Sequence, residues 1–318
     1  MAGPGGWSAA AMGDLTGKTV AVTGANSGLG YEAARAFARH GAGVVLACRD
    51  TEQGTVAAER IREEAPEAPL TVVALDLGDL DSVRQFPARL DGVHDDLHVL
   101  CNNAGVMAIP RTETADGFET QFGVNHLGHF ALTGLLLDRL RETDGEARVV
   151  TQSSGLHANG EIDFDDLHGE RGYDEWAAYA QSKLANLLFA YELQRRLDRA
   201  GVEGVRSVAC HPGYAATNLQ RRGPEQSGST LRLWAMKAAN ALLAQSAERG
   251  ALPMLYAATA PGIEGGEYVG PGGFRNLRGA PEKQRSSARS SDEETAERLW
   301  DVSAELTGVT YGLDATAG

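Results

Sequence analysis

Short apolar segments alternate along this chain with longer segments of helical hydrophobic spacing. Six have the composition of β-strands: KTVAVT (18–23), GVVLAC (43–48), LTVVAL (70–75), LHVLC (97–101), ARVVTQS (147–153) and VRSVAC (205–210). A weaker candidate, EYVG, lies near residue 267, and helical patterns begin near Leu29, Glu52, Leu80, Phe118 and Trp176. The first strands are apolar nearly throughout, as expected for parallel strands covered by helices on both faces. The alternation predicts a doubly wound α/β fold of about seven mostly parallel strands.

Three regions interrupt this alternation. Residues 1–13 are rich in Gly and Ala, and we expect them to be disordered before a single domain over 14–275. A polar insert, 157–178, separates the fifth strand from the next helix. The remainder, 276–318, is predicted to form a loop and a C-terminal helix that packs on the same domain.

The C-terminal region begins with residues 270–290, which have the composition of a loop. Ser291 and Glu294 then have the spacing of a capping box, in which two side chains satisfy free amides at a helix start. Gly308 is a typical helix stop. The pattern predicts a final helix between these signals.

The charge balance disfavours several classes of partner. The 318 residues include 29 basic and 43 acidic side chains, for a formal net charge of −14. Such a surface repels phosphate backbones and anionic lipids, so we expect neither nucleic acid nor a membrane surface as a partner. No apolar run approaches the ~18 residues of a membrane span, and the first residues lack the features of a secretory signal. These features predict a cytoplasmic protein.

A glycine-rich turn, T-G-A-N-S-G-L-G, directly follows the first strand at Thr23–Gly30. A turn of this kind, from a strand into a helix, lets the backbone approach a pyrophosphate, which the amides and the positive helix end hold. Such turns also occur where a helix simply packs on a strand, but this one opens an α/β repeat. It predicts dinucleotide binding. The candidate cofactor residues in the turn are Gly24, Asn26, Ser27, Gly28, Leu29 and Gly30.

The end of the second strand bears on the choice between NAD and NADP. A NAD site has a carboxylate here for the adenosine ribose, but this chain has Cys48, followed at once by Arg49. A guanidinium suits a 2′-phosphate through planar, charge-assisted bonds. Arg49 could also be an ordinary surface residue, and Asp50 could simply open the next helix. We predict that NADP(H) is favoured over NAD(H).

Three further strand ends carry candidate site residues. Open α/β sheets bind ligands at the C-terminal ends of their strands, although turn chemistry explains Asn and Gly there equally well. The third strand leads to Asp76 and Leu77, and the fourth to Asn103, Ala104 and Gly105. The fifth ends at Ser153 and Ser154, and the next helix carries Tyr179 and Lys183 on one face, four positions apart.

In this order the motifs resemble those of the short-chain dehydrogenase/reductase family, over roughly residues 15–275. The matching motifs are TGxxxGxG (Thr23–Gly30), NNAG (102–105), Asn125, Ser154, YxxxK (Tyr179, Lys183) and His211-Pro212-Gly213. The stretches LACRD, NHLGHF, AYAQSKLANLLF and RLWDVSAELTG further resemble the retinol dehydrogenase-like branch, and plant protochlorophyllide reductases share some of them. The resemblance implies a Rossmann-type fold and a nicotinamide-dependent oxidoreductase.

The resemblance also implies roles for the catalytic candidates Asn125, Ser154, Tyr179 and Lys183. Tyr179 would exchange a proton with the substrate oxygen, to which Ser154 would also bond, and Asn125 would hold a water linked to Lys183. Lys183 would bind the nicotinamide ribose and, as a nearby cation, favour the Tyr179 phenolate, moving the phenol pKa down from ~10. Further cofactor contacts are implied for Pro212, Gly213 and Thr217.

Neither the cysteines nor the histidines have the spacing of metal ligands. The odd number of cysteines also argues against a disulfide framework, so we interpret them as buried thiols. Several histidines adjoin the motifs, but we expect no catalytic histidine and no metal. The residues concerned are Cys48, Cys101, Cys210, His126, His129, His157 and His211.

The substrate and the assembly are less constrained. Met107–Pro110, the insert and residues 214–235 are the candidate pocket segments, and their apolar content favours a hydrophobic or aromatic small molecule. Long helices around 126–140 and 176–199 predict a homodimer, in which both bury one apolar stripe. Two other functions stay open: reduction of a C=C bond, as in protochlorophyllide reductases, and non-catalytic nucleotide sensing or scaffolding.

Overall fold

The computed structural model describes residues 6–93, 96–214, 245–273 and 276–313. The strands within them are β1 (Thr19–Thr23), β2 (Gly43–Cys48), β3 (Leu70–Ala74), β4 (Val99–Asn102), β5 (Ala147–Gln152), β6 (Val205–Cys210), β7 (Tyr268–Pro271) and β8 (Pro281–Gln284). They form one sheet in the order β3-β2-β1-β4-β5-β6-β7-β8. Every neighbouring pair is parallel except β7 and β8. The predicted Rossmann-type α/β fold is confirmed.

Helices cover both faces of the sheet. The long helices of the described residues are α1 (Gly28–Arg39), α2 (Thr51–Glu64), α3 (Leu80–Leu90), α4 (Gly128–Glu142), α5 (Glu175–Arg199), α6 (Ala247–Thr259) and α7 (Glu293–Thr307). On one face α1, α2 and α6 share a core with Val20 and Val22 of β1. On the other, α3, α4 and α5 share a core with Ala21. Successive residues of β1 are therefore all buried, which explains the apolar run at its centre, Val20–Val22.

The stretch 270–290, predicted to be a loop, contains the end of β7 and all of β8. Strand β8 lies at the edge of the sheet, where Lys283 pairs with Val269 of β7. Glu282 and Lys283 are exposed, as is common on edge strands, whose charges discourage pairing with other chains. The loop prediction was wrong because such a strand lacks the apolar composition that identified the others.

The N-terminal segment is ordered over residues 6–13, where disorder was expected. Ala9–Ala11 form a 3-10 turn, and the Trp7 ring packs edge-on against Tyr256, with 5.2 Å between ring centroids. Met12 is buried in the core. The Gly- and Ala-rich composition concealed these two apolar anchors. Residues 1–5 lie outside the described part of the chain.

The C-terminal helix α7 starts one residue later than the capping-box prediction. Its N-cap is Asp292, whose carboxylate accepts a hydrogen bond from Thr295 N at 3.1 Å, so the Ser291–Glu294 assignment was wrong. Gly308, with φ 66°, ends the helix as predicted. An aspartate caps at least as well as a serine, and the sequence offered both in succession.

Helix α7 covers the outer faces of α4 and α5. The Trp300 ring lies 5.1 Å from that of Phe130 on α4 and 5.9 Å from that of Phe189 on α5. Leu299 belongs to a second apolar cluster with Leu184 and Leu188 of α5. The apolar stripe that was expected to pair two subunits is thus buried within the chain itself. The premise of the dimer prediction does not hold for these two helices.

Candidate active site

A cavity of about 1040 Å³ lies along the C-terminal ends of the strands. The structure brings nearly all of the candidate residues to its wall: Gly24, Asn26, Ser27, Gly28, Leu29, Gly30, Arg49, Asp76, Leu77, Asn103, Ala104, Gly105, Ser154, Tyr179, Lys183, Pro212 and Gly213. Asn125 lies behind the wall, and Thr217 is outside the described residues. The cavity therefore joins the glycine turn, Arg49 and the Ser-Tyr-Lys set in one space.

The glycine turn needs glycine for both conformation and space. Gly24 and Gly28 have φ values of 67° and 57°, in the left-handed region that other residues seldom adopt. A Cβ at Gly30 would lie 2.4 Å from the Gly24 carbonyl oxygen and 2.5 Å from Asn103 Nδ2. Asn103 in turn donates to Thr23 O at 2.7 Å, which joins the turn to the end of β4. At the three glycines the backbone itself thus forms the cavity wall.

The start of α1, like that of α4, carries no side-chain cap. Its N-cap, Ser27, makes no side-chain capping bond, and the first turn has no acidic residue. Side chains of Asp or Ser do cap α2, α3, α5, α6 and α7. First-turn amides without a capping side chain can bind an anion at the positive end of a helix dipole. The geometry fits the pyrophosphate of a dinucleotide.

The end of β2 presents one cation to the cavity. The buried Cys48 thiol faces the strand, with Sγ 3.4 Å from Leu46 O, and burial raises its pKa to about 11. Arg49 is exposed and lines the cavity. Asp50 is the N-cap of α2 and accepts from Gln53 N at 3.0 Å. Asp50 therefore opens the helix, as one of the sequence alternatives had it.

Tyr179 and Lys183 project from α5 beside the end of β5. Tyr179 is 5% exposed, and burial raises the pKa of its phenol to about 12, although a hydrogen bond with the Ser154 hydroxyl opposes the shift. The lowering of the Tyr179 pKa that was expected from Lys183 is absent in the free protein, because the effect of burial dominates. Lys183 Nζ lies 5.8 Å from the centre of the Tyr179 ring. The phenol is thus protonated at neutral pH.

Lys183 is buried and held by the main chain of β5. Its Nζ donates to Gln152 O at 3.2 Å. Burial lowers its pKa to about 8, against an opposing effect of Cys210. The neighbouring Ser153 donates to Lys183 O at 2.7 Å. Its hydroxyl is thus bonded to the main chain of α5.

Asn125 lies in a π-helical turn, Gly123–Leu127, that leads into α4. Its amide accepts from Val106 N at 2.8 Å and donates to Val106 O at 2.9 Å. A further bond of 2.9 Å joins its Nδ2 to Ser182 Oγ on α5. Asn125 thereby ties the segment after β4 to the helix that carries Tyr179. π-helical turns are rare and often occur at functional sites. No pattern in the sequence predicted this one.

The family of the protein follows from comparison with known sequences. The model of the short chain dehydrogenase family matches residues 18–228. The chain belongs to the short-chain dehydrogenase family.

Its similarity to retinol dehydrogenase 12 of Mus musculus is 43% identity over 299 residues, which covers 93% of this chain and 88% of that protein. Mouse polyprenol dehydrogenase is also 43% identical over 299 residues, covering 93% and 85%. A crystal structure of an uncharacterised protein from Mycobacterium paratuberculosis matches with a TM-score of 0.79 and 43% identity, covering 96% and 99%. These relatives place the chain in the retinol dehydrogenase-like branch.

Several features of this short-chain dehydrogenase were missed from its sequence. Gln284 and Arg285, at the end of β8, line the cavity. His211 Nε2 and Gln284 Oε1 are 3.0 Å apart, and Ser287 N donates to His157 Nε2 at 3.1 Å. The edge hairpin therefore closes one side of the cavity, next to the motif that contains Ser154. Residues 270–290 have the composition of a loop, so nothing in the sequence indicated that Gln284 and Arg285 line the cavity.

The apolar part of the cavity includes Met107, Leu156 and Trp176. Trp176 is 42% exposed, one helical turn before Tyr179. Ala108 and Ile109 are buried, so the candidate segment Met107–Pro110 lines the cavity through its first residue, Met107. Of the candidate segment 214–235, Tyr214 lines the cavity and the rest lies outside the described residues.

The histidines near the motifs are buried in neutral form. Burial lowers the pKa of His126 to about 3 and that of His129 to about 4. Across the described part of the chain, no group of three or more His, Cys, Asp or Glu side chains could hold a metal ion. Over the same residues, no helix has the length and hydropathy to cross a membrane.

Proposed function

We propose that the protein is an NADP(H)-dependent oxidoreductase that interconverts the carbonyl and alcohol forms of a hydrophobic or aromatic small molecule. One observation carries this proposal: Ser154, Tyr179 and Lys183 line the same cavity as the glycine turn and Arg49. Binding and proton transfer can therefore occur in one space. A bound nicotinamide supplies or accepts the hydride, and the protein orients the reactants and handles the proton.

The residues of the strand ends would hold the cofactor. The glycine turn and the uncapped start of α1 suit the pyrophosphate, and Asp76, Leu77 and the 103–105 segment suit the adenosine. Lys183, Pro212 and Gly213 would hold the nicotinamide half. Thr217 is assigned to the same half by resemblance alone. Arg49 would bind a 2′-phosphate, which favours NADP(H). NAD(H) is disfavoured because Cys48 stands where a NAD site has the carboxylate that binds the adenosine ribose.

Tyr179 would act as the acid in reduction and as the base in oxidation. Its pKa of about 12 keeps the proton on the phenol, where it can be donated to a carbonyl oxygen. As that proton leaves, the Lys183 ammonium stabilises the phenolate. Ser154 would hold the substrate oxygen beside the phenol. Asn125 would maintain the alignment of these groups and the water path to Lys183.

The substrate class rests on the cavity and the relatives. Met107, Leu156 and Trp176 offer apolar surface, and the names retinol dehydrogenase and polyprenol dehydrogenase refer to enzymes of apolar alcohols. Two such names at the same identity leave the individual substrate open. We therefore propose the class and not the compound.

The proposal is tested by mixing the purified protein with NADPH and a panel of aliphatic and aromatic aldehydes, ketones and activated alkenes. Loss of absorbance at 340 nm with formation of an alcohol is the expected result. A saturated carbonyl product from an alkene would instead support C=C reduction. NADPH binding with no turnover across the panel would support the non-catalytic alternative.

A cytoplasmic location and a homodimer remain proposals. Since α7 covers the stripe on α4 and α5, a dimer needs a different surface from the one first considered. Light scattering at micromolar concentration gives the answer directly: a mass of about twice 33.6 kDa supports the dimer, and one chain mass rejects it.

A further inference from the structure

The segment of residues 104–111, which follows β4, is held by side chains. Among the described residues, its backbone makes no hydrogen bond to another backbone group. Near the start of the segment, the Asn125 amide bonds Val106. Further along, Ala108 N donates to Gln121 Oε1 at 2.8 Å. Because no strand pairing fixes this segment, its conformation depends on the side chains that bond it.

Ala108 has a backbone conformation that needs support. Its φ is 48°, in the left-handed region, which Asn276 is the only other non-glycine residue of the described part of the chain to adopt. Such strained backbone persists only where its surroundings hold it. Ala108 is buried, so loss of Gln121 would leave its amide without an acceptor. Met107, the residue before it, lines the cavity, and its position therefore depends on how Ala108 is held.

The Gln121 amide joins this segment to the start of α5. The side chain is fully buried, and its Nε2 donates to Glu175 O at 2.9 Å. A backbone donor faces Oε1 and a backbone carbonyl faces Nε2, so the orientation of the amide is fixed. Ala108 directly follows Met107, and Glu175 directly precedes Trp176. One buried amide thus bonds the neighbours of two apolar residues of the cavity wall.

Tyr173, in the polar insert, completes this connection. Its hydroxyl accepts from Gln121 Nε2 at 2.8 Å. The hydroxyl proton is donated to Ile109 O, 3.0 Å away, or to Glu119 Oε1, 2.9 Å away. The Glu119 carboxylate also accepts from Gln121 N at 2.8 Å, which fixes the backbone that carries the amide. The insert and the segment 104–111 are therefore bonded to the same buried group of side chains.

We propose that Gln121 and Tyr173 are positioning residues that determine substrate specificity by holding Met107 and Trp176 in fixed relative positions in the cavity wall. A bulky substrate that contacts both apolar side chains depends on these positions, whereas a small one does not. Gln121 and Tyr173 do not line the cavity themselves, so they act through the two wall residues. The geometric claim concerns the free protein, and the effect on substrate choice rests on the proposed carbonyl reduction.

The first test is a crystal structure of the Gln121→Met variant without cofactor or substrate. Methionine keeps the length of the side chain but cannot bond Ala108 N. We expect Ala108 to leave the left-handed region and Met107 to move relative to Trp176 by about 1 Å or more, a displacement that can affect an enzyme's rate strongly. If Ala108 keeps its positive φ and both wall residues keep their positions, the proposal is wrong. Tyr173→Phe, which removes only a hydroxyl, provides the same comparison of wall positions if the methionine variant fails to fold.

The second test compares a bulky aromatic aldehyde with a short aliphatic one, each reduced with NADPH. We expect Gln121→Met to lower the ratio of their kcat/KM values, aromatic over aliphatic, by about tenfold, the scale of a methylene-sized misfit in an apolar pocket. NADPH affinity should change less than about threefold, because the glycine turn and Arg49 are untouched. Gln181→Met is the matched control, since Gln181 also joins the insert to α5, accepting from Asp163 N at 2.9 Å, but makes no bond to residues 104–111. An equal change of the ratio in the control, or an unchanged ratio in a folded Gln121→Met variant, would reject the specificity role.

The proposed function and the proposed role of Gln121 and Tyr173 fail in different ways. An unmodified protein that reduces no carbonyl compound rejects the proposed function, and the crystal structure of Gln121→Met still decides whether the wall positions depend on Gln121. An active protein whose Gln121→Met variant keeps the wall positions and the substrate preference rejects the positioning role alone.

Discussion

Replacing Arg49 with alanine tests the cofactor preference most sharply. The guanidinium is exposed at the cavity wall, and it would meet a 2′-phosphate through parallel, charge-assisted hydrogen bonds. Such bonds are worth about 1.5–3 kcal/mol each when well formed, but solvent and the overall charge of −14 weaken them. A net preference of ~2–3 kcal/mol corresponds to roughly 30- to 150-fold tighter binding of NADP than of NAD.

The assay is fluorescence titration of NADPH and NADH with the unmodified protein and the Arg49→Ala variant. We expect the variant to lose most of the preference through weaker NADPH binding, with NADH affinity nearly unchanged. Salt should weaken NADPH binding in the unmodified protein, because an ion pair that solvent can reach is screened. Arg60→Ala, an exposed arginine of α2 outside the cavity wall, is the control. Equal affinities for NADPH and NADH in the unmodified protein would refute the reasoning.

Two further predictions concern the chemistry and the pocket. The kcat/KM of carbonyl reduction should be level at low pH and fall as pH rises through about 8, because Lys183 loses its charge there while Tyr179, with a pKa of about 12, stays protonated; a profile that rises across this range contradicts the assignment. Trp176→Ala should lower kcat/KM for bulky aromatic aldehydes by about tenfold and leave short aliphatic ones nearly unchanged. Val56→Ala, which removes another exposed apolar side chain away from the cavity, should affect neither, and an equal loss for both aldehyde classes would remove Trp176 from substrate recognition.

The central sheet could be predicted because its strands are buried on both faces. Val20 and Ala21 face different cores, so the central residues of β1, Val20–Val22, are all apolar and its location is evident from composition alone. Strand β8 was not predicted, because Glu282 and Lys283 are exposed at the edge of the sheet. Its partner in the sheet, β7, was the weaker candidate EYVG near residue 267. The structure places this strand at Tyr268–Pro271, one residue later. Composition detects burial, and an edge strand has little.

The site residues could be predicted as a set, but their environments could not. The glycine turn can be recognised from its sequence because its left-handed backbone requires glycine. The spacing of Tyr179 and Lys183 can be recognised because residues four positions apart lie on one face of a helix. The balance between burial and charge at Tyr179 depends on residues distant in sequence, so the expected direction of its pKa shift was wrong. The π-helical turn at Asn125 likewise depends on contacts with Val106 and Ser182.

The central claim, that Tyr179 transfers the proton, is tested most directly by Tyr179→Phe. The change removes the hydroxyl and keeps the ring, so NADPH affinity should be retained while kcat for carbonyl reduction falls at least ~100-fold. Tyr191→Phe is the matched control on the same helix, since its hydroxyl bonds Ser286 Oγ at 2.8 Å outside the cavity wall. The account predicts a large loss of kcat in the first variant and a kcat close to that of the unmodified protein in the second. A folded Tyr179→Phe variant that reduces carbonyl substrates at the unmodified rate would contradict it.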